Sequence, residues 1–109
     1  MAEDYALLFL DGERSGRAFA LEKDEVTLGR SRNNDLTFND QLLSRQHLVL
    51  RREGGDIMVE DPGSTHGAFL NEKRLRGILS LNEGDVLQFG SQKMRLVKLA
   101  EVSELVDAP

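Results

Sequence analysis

Short runs of apolar residues recur along the chain at close intervals, and clusters of glycine and polar residues separate them. The runs are rich in β-branched and aromatic residues, and no segment of helical length keeps a 3.6-residue apolar period. This pattern predicts an all-β fold of the sandwich or barrel type. The predicted strands are Tyr5–Leu10, Arg17–Leu21, Glu25–Leu28, Asp35–Phe38, His47–Arg52, Asp56–Glu60, Ala68–Leu70, Asp85–Phe89 and Met94–Leu99.

Turn residues between the predicted strands favour tight hairpins. Asp11-Gly12 and Gly54-Gly55 accommodate the positive φ that such turns require. The segment Phe69–Lys73 also resembles a two-residue hairpin. Glu72 stands there in a position that glycine would occupy more easily, so another turn geometry stays open at this point.

The length of the chain fits one domain. Its 109 residues, of which 39% are hydrophobic and 30% are charged, can bury a single core. We expect the folded domain to occupy residues 1–99 and residues 100–109 to form a C-terminal tail. Ala100–Val106 could form a turn or two of helix, but Asp107-Ala108-Pro109 follows directly and favours a tail.

The charge and the composition argue against several classes of protein. A net charge of -5 disfavours a nucleic-acid binder, which needs a basic face, but it leaves room for a local basic pocket that holds one phosphate. The absence of cysteine excludes disulfides and thiolate zinc sites. The two histidines, His47 and His66, do not have the spacing of paired metal ligands. We therefore expect neither a metal nor another cofactor.

The N-terminus and the apolar runs predict the cellular location. Met1-Ala2-Glu3-Asp4 is acidic and lacks the basic region of a secretory signal. The longest apolar run, Ala6–Leu10, is too short to cross a bilayer. We expect a cytoplasmic protein without membrane contact, either complete or part of a longer protein. The residues do not define an oligomeric state, and we expect a monomer.

Unusual polar residues concentrate in three predicted connections, which we name the first loop (28–35), the second loop (43–47) and the third loop (61–67). Function often resides in such connections. A phosphate monoester carries about -1.5 to -2 charge and three strong acceptor oxygens. The planar fork of arginine matches such an anion, and hydroxyl or backbone N–H groups satisfy the remaining oxygens.

The three loops contain this set of groups. Arg30 lies in the first loop, Ser44 and Arg45 lie in the second, and Thr65 lies in the third. Each of these residues alone is more often structural than functional, because loop serines commonly bind their own backbone. Together they predict a concave anion site, provided that the loops meet at one end of a sandwich.

Several short motifs follow one another in a specific order and spacing along the chain. They are Gly29-Arg30, Ser44-Arg45-Gln46-His47, Ser64-Thr65-His66-Gly67 and Asn71, followed by Leu81–Val86 and Phe89-Gly90. This set resembles the forkhead-associated (FHA) domain family, and the resemblance extends from about Thr27 to Leu99. It implies a two-sheet β-sandwich of antiparallel and mixed strands, with binding loops clustered at one end, that serves as a phosphothreonine-dependent protein-binding module.

The resemblance also implies roles for single residues. Arg30 and Ser44 would hold the phosphate oxygens, and Arg45 would add a second charge-assisted contact. Thr65 would contribute its hydroxyl or its backbone N–H. The resemblance also implies supporting residues. Gly29 would allow a tight backbone, His47 would brace one loop against another, and Asn71 would tie the site loops together. Ser64 and the turn residue Gly67 would support the third loop.

His66 departs from the asparagine that this family most often has. The asparagine hydrogen-bonds the backbone of the bound peptide, and some members carry histidine instead. A neutral imidazole offers one donor and one acceptor, and a protonated ring offers two donors. The geometry and pH response of this peptide contact are therefore open, whereas the phosphate contact is unaffected.

Three other interpretations compete with this one. Ser44 and His47 could be a nucleophile and a base, but the sequence offers no orienting acid or oxyanion hole for them. Nucleotide hydrolysis lacks its GxxxxGK[ST] run, so we expect no enzyme. A scaffold that binds partners without phosphate is a stronger rival. Binding of the chain's own phosphorylated tail is disfavoured, because its threonines, Thr27, Thr37 and Thr65, all lie inside the predicted fold.

Overall fold

The computed structural model describes residues 4–106, so the first three residues of the expected domain and the last three of the expected tail lie outside it. The described chain is almost entirely β, which confirms the predicted fold class. Every predicted strand is present. Asp56–Glu60 and Ala68–Leu70 have the predicted ends, and the others have slightly different ends. The elements are β1 (Tyr5–Phe9), β2 (Ala18–Ala20), β3 (Glu25–Gly29), β4 (Leu36–Thr37), β5 (Leu48–Glu53), β6 (Asp56–Glu60), β7 (Ala68–Leu70), β8 (Lys73–Arg74), β9 (Ile78–Leu81), β10 (Val86–Phe89), β11 (Gln92–Lys98), α1 (Leu99–Val102) and a 3-10 turn (Ser103–Leu105).

Two sheets pack face to face as a sandwich. The six-stranded sheet has the order β2-β1-β11-β10-β7-β8, and the five-stranded sheet has the order β4-β3-β5-β6-β9. All pairs are antiparallel except β3 and β4, which run parallel with Leu28 opposite Leu36. The core between the sheets is built from inward-facing apolar residues such as Leu7, Leu48, Val59, Phe89 and Met94, which are completely or almost completely buried.

Two strands were not predicted from the sequence. Strand β8 consists of two exposed charged residues, so it carries no apolar signal. Strand β9 is an edge strand in which only Leu81 is buried, and its ladder with β6 places Leu81 opposite Ile57. Both strands depend on pairing with a neighbour rather than on their own apolar alternation.

The connection between β7 and β8 resolves the open question about the turn at Glu72. Leu70 pairs with Lys73, so only Asn71 and Glu72 form the turn. Their φ angles are 50° and 71°, which is the left-handed geometry of the hairpin turns that favour Asn-Gly. The turn is therefore a two-residue hairpin despite the glutamate.

The segment that we expected to be a tail begins with packed structure. Helix α1 and the 3-10 turn cover residues 99–105, and Val102 is buried against Ala6 and Ala18. Val106 forms a parallel bridge with Ala18. The described part of this segment therefore covers the outer face of β1 and β2 through Val102 and Val106, whereas Leu105 is exposed. Neither helical element in residues 4–106 has the length and apolar character needed to cross a membrane.

Candidate functional site

Backbone hydrogen bonds join the first and second loops. The N–H of Arg30 donates to the carbonyl of Ser44 at 3.1 Å, and the N–H of Ser31 donates to the carbonyl of Arg45 at 3.1 Å. The side chain of Asn34 donates to the same Arg45 carbonyl at 2.5 Å. These bonds extend the pairing of β3 with β5 into the loops, so that Arg30 and Ser44 become neighbours.

Gly29 permits this close approach. A Cβ atom at this position would fall 2.3 Å from the carbonyl oxygen of Arg45 and 2.9 Å from Nδ2 of Asn34. A backbone oxygen cannot move away as the end of a flexible side chain can, so any larger residue would push the first and second loops apart. The residue is therefore an architectural requirement of the site.

The second and third loops meet through Ser44. Its Oγ accepts a hydrogen bond from the N–H of Thr65 at 3.0 Å, although the two residues lie 21 positions apart. The third loop is therefore held beside the pair formed by Arg30 and Ser44. All three loops that the sequence singled out thus meet in one place.

His47 joins the second and third loops from the buried side. Its side chain is completely buried, and Nδ1 accepts the N–H of Ser44 at 3.0 Å. Because Nδ1 is an acceptor, Nε2 carries the hydrogen and donates it to the carbonyl of Gly67 at 2.8 Å. The ring also packs against Phe89 with centroids 5.7 Å apart. Both ring nitrogens are satisfied only in this neutral tautomer.

This geometry separates His47 from the Ser44 hydroxyl. The ring nitrogen that is nearest to Ser44 bonds the backbone N–H of that residue. The Ser44 Oγ is engaged by the N–H of Thr65 instead. The histidine is therefore not placed as a base for a serine nucleophile, which requires a hydrogen bond between base and hydroxyl.

Asp61 stabilises the third loop by accepting hydrogen bonds from residues of the same loop. Its Oδ1 accepts the N–H groups of Gly63 at 2.9 Å and Ser64 at 2.7 Å, and its Oδ2 accepts the Ser64 hydroxyl at 2.5 Å. The Ser64 Oγ in turn accepts the N–H of Gly67 at 2.9 Å. Burial by itself raises the pKa of Asp61, but the hydrogen bonds from Ser64 and Gly63 outweigh it and lower the pKa.

Asp61 falls in the third loop, but the sequence motifs assign it no role. The signal that could have identified it is its place at the start of Asp61–Ser64, because aspartate side chains commonly bond the backbone two or three residues onward. Asp40 was missed as well. Its buried carboxylate accepts the N–H groups of Leu42 and Ser91 and the side-chain amide of Gln92, and so fixes the approach to the second loop.

The two arginines present free donors to solvent. Arg30 is exposed and uses only Nε, which donates to the carbonyl of Leu43 at 3.1 Å, so Nη1 and Nη2 have no partner within residues 4–106. The side chain of Arg45 is exposed and has no hydrogen bond or ion pair in the same range. One ion pair of residues 4–106 reaches the first loop, where Lys23 pairs with Asp35. Arg30 and Arg45 take part in none of the ion pairs of the described residues. The charge of these two guanidinium groups is therefore not neutralised by an internal ion pair.

The remaining predicted residues differ in their position. Thr65 and His66 are exposed on the third loop beside Ser44. Asn71 lies at the far end of β7, where its side chain donates to Asp85 and accepts from the N–H of Val86, both at 2.9 Å. It holds the hairpin turn against the entry to β10, so its contacts are not the ties between site loops that the resemblance implied.

Taken together, the joined loops carry hydrogen-bond donors that have no partner within residues 4–106. The Ser44 Oγ already accepts the Thr65 N–H, so its own hydrogen is free to donate outward. The guanidinium groups of Arg30 and Arg45 add charged donors that stay solvated when no ligand is bound. Hydroxyl and guanidinium donors converging in this way match the acceptor oxygens of a phosphate monoester.

Comparisons with known proteins show the family to which the chain is similar. The sequence profile of the FHA domain matches residues 26–90. The glycogen accumulation regulator GarA of Mycolicibacterium smegmatis is 35% identical over 88 residues, which are 81% of this chain and 54% of the relative. The oxoglutarate dehydrogenase inhibitor of Corynebacterium jeikeium is 34% identical over 100 residues, which are 91% of this chain and 67% of the relative.

A solved structure has a similar fold. It belongs to a study of phosphothreonine-dependent FHA domain interactions and superimposes with a TM-score of 0.78 at 26% identity, covering 86% of this chain and 95% of that one. The chain spans between about half and two thirds of the length of the two curated relatives.

Proposed function

The chain belongs to the FHA domain family, and from this premise we propose that it binds partner proteins through a phosphorylated threonine. The observation that carries the proposal is the hydrogen bond from Thr65 N–H to Ser44 Oγ, which leaves the Ser44 hydroxyl hydrogen free to donate. Ser44 is joined by a backbone hydrogen bond to Arg30, whose amino groups are unpaired. A phosphate placed there would receive charged and neutral donors from loops that are already joined. Such preorganisation reduces the ordering cost of binding.

We assign the contacts as follows. Arg30 and Ser44 bind the phosphate oxygens directly, and Arg45 adds a second guanidinium from the position next to Ser44. Thr65 contributes its side-chain hydroxyl, because its N–H is already used by Ser44. His66 contacts the backbone of the bound peptide. Gly29, His47, Ser64 and Gly67 hold the loops in place through the contacts described above.

Room for the peptide exists beside the proposed phosphate position. A shallow surface hollow of about 240 Å³ is lined by His66 and Gly67 of the third loop together with Leu42 and Phe69. Leu42 is 49% exposed, which is unusual for a leucine in this chain. An extended peptide anchored at Ser44 has this hollow within reach of its neighbouring side chains.

Calorimetry with matched peptides tests the proposal. A degenerate phosphothreonine peptide library first identifies a sequence that binds, and that sequence is then compared with phosphoserine and threonine at the same position. We expect the phosphothreonine peptide to bind with a dissociation constant of about micromolar, near -8 kcal/mol. The phosphoserine peptide should bind with lower affinity, and the unmodified peptide should have the lowest affinity of the three. Equal affinity for the unmodified peptide would refute the proposal and favour a scaffold that binds without phosphate.

We propose a regulatory role without catalysis. The FHA family is a family of binding modules, and His47 is not positioned to activate the hydroxyl of Ser44. The two relatives are a regulator and an inhibitor, so control of a partner protein is the role that this likeness supports. The cytoplasmic location, the monomeric state and the absence of nucleic-acid and membrane binding stay predictions.

A further inference from the structure

Arg74 lies directly against the third loop, although it belongs to a different element. It is on the edge strand β8, where it pairs with Phe69 of β7. A Cβ atom built on Gly67 would fall 2.8 Å from Nη2 and 3.0 Å from Cζ of Arg74. The guanidinium therefore lies against the α-carbon of Gly67, and a larger residue there would make the end of the Arg74 side chain shift. The φ of 78° at Gly67 favours glycine independently of this contact.

Gly67 links Arg74 closely to the anion-binding loops. Its carbonyl accepts Nε2 of His47, and its N–H donates to Ser64 Oγ. Gly67 also lies two positions after Thr65, whose N–H is bonded to Ser44. A cation on Gly67 is thus a short distance along the loop from the proposed phosphate position.

The charge of Arg74 is not used within the described chain. The side chain is exposed and makes no hydrogen bond or ion pair with residues 4–106. The nearest acid along the loop is Asp61, and both of its oxygens are occupied by the backbone and hydroxyl groups of Gly63 and Ser64. In a chain with a net charge of -5, an unpaired arginine held at this place has a donor fork available for an external acceptor.

We propose that Arg74 determines peptide specificity by binding a second anionic group of the phosphothreonine ligand. This group is a carboxylate of aspartate or glutamate, or a second phosphate, since both offer the paired oxygens that a guanidinium fork recognises. The inference rests on the proposed function. An extended peptide advances about 3.3 Å per residue, so the second anion should lie about two or three residues from the phosphothreonine.

A structural role is the alternative. The flat guanidinium could simply cover Gly67 and stabilise the third loop, in which case the charge would not matter for ligand choice. Arg74→Gln removes the charge and keeps a long polar side chain, whereas Arg74→Lys keeps the charge and loses the planar fork. Arg95→Gln is the matched control, because Arg95 is exposed on β11, two strands away from β7 in the same sheet.

The experiment measures the affinity of these proteins for a set of phosphothreonine peptides by fluorescence anisotropy. One peptide has only neutral residues around the phosphothreonine. The others each carry a single aspartate, or a single phosphoserine, at one position within four residues on either side. We expect wild type to gain about fivefold in affinity from an anion at one or two adjacent positions. Arg95→Gln should keep this gain, Arg74→Lys should keep part of it, and Arg74→Gln should lose it.

The affinity for the neutral peptide distinguishes a role of Arg74 in ligand choice from a structural role. If Arg74 acts on the second anion, Arg74→Gln binds the neutral peptide within about twofold of wild type and melts at the same temperature. An equal loss for every peptide, or no preference of wild type for any anionic position, would overturn the inference while leaving the proposed function intact. Failure of wild type to bind any phosphothreonine peptide would overturn the proposed function and this inference with it. A gain from phosphoserine but not from aspartate would identify a second phosphate as the source.

Discussion

The hydroxyl oxygen of Ser44 accepts the backbone N–H of Thr65 at 3.0 Å, and this bond connects two loops that are 21 residues apart in sequence. The serine therefore has two functions at once. Its oxygen holds the third loop, and its hydrogen remains free to donate to an anion.

Replacing Ser44 with alanine should remove both functions. One hydrogen bond to a charged group contributes about 1.5–3 kcal/mol, so the affinity for a phosphothreonine peptide should fall by about tenfold to a hundredfold. The melting temperature should change little, because Thr65 is exposed and its N–H can bond to water. Ser44→Thr keeps the hydroxyl and serves as the control in calorimetry. Unchanged affinity of the alanine variant would exclude a phosphate contact by Ser44.

Replacing Arg30 with alanine should abolish measurable phosphopeptide binding. The variant loses the two unpaired amino groups that face solvent, and with them the charged donors to the phosphate. It also loses the bond from Nε to the Leu43 carbonyl, so we expect a decrease of up to about 1 kcal/mol in the free energy of unfolding. Calorimetry and denaturant titration measure the two effects on the same protein. A domain that unfolds without Arg30 would show that the residue is architectural.

His47 should behave in the opposite way. Its alanine variant leaves the Ser44 N–H and the Gly67 carbonyl without partners and opens a cavity beside Phe89. An unsatisfied buried group costs about 1–3 kcal/mol, and the cavity adds to this cost. The melting temperature should therefore fall clearly, and binding should weaken through loosened loops. The exposed His66→Ala variant is the control and should melt as wild type does.

Much of the fold could be predicted because the local pattern of apolar runs and turn residues indicates the strands. The apolar runs that became β1, β5 and β6 alternate with turns rich in glycine, and Arg30 and Ser44 stand in short motifs of specific order. The residues of the proposed anion site could be named from the sequence because phosphate recognition requires a small set of residue types. Their individual roles stay predictions until binding is measured.

What could not be predicted depends on contacts across the sandwich. Asp40 is remote in sequence from Ser91 and Gln92, and nothing local indicates that it would be buried against them. Arg74 meets Gly67 only because β8 pairs with β7, and β8 has no apolar pattern. Asn71 was assigned to the site loops because it follows their motifs in sequence. The pairing of β7 with β10 instead places it beside Asp85.

The stability of the domain should decrease in acid through Asp61. Burial raises its pKa, but the hydrogen bonds from Ser64 and Gly63 lower it more, so the pKa in the folded protein lies below that of the unfolded chain. A depressed carboxyl pKa contributes stability above the unfolded value, and this contribution is lost as the pH falls through the folded value. Urea titrations between pH 7 and pH 3 should show a smaller decrease for Asp61→Asn than for wild type. The exposed Asp56→Asn variant should follow wild type, and identical curves for all three proteins would contradict the prediction.

His66 should make peptide binding depend on pH in a way that asparagine does not. The imidazole is exposed on the third loop, and histidine is the side chain that changes charge between pH 5 and pH 8. A neutral ring can accept a hydrogen bond from the peptide backbone, whereas a protonated ring can only donate. Phosphate itself loses its second proton near pH 6, so wild type alone is not informative. The comparison is the ratio of wild-type to His66→Asn affinity for one phosphothreonine peptide, measured from pH 5 to pH 8. We expect this ratio to change with pH, and a constant ratio would show that the ring does not contact the peptide.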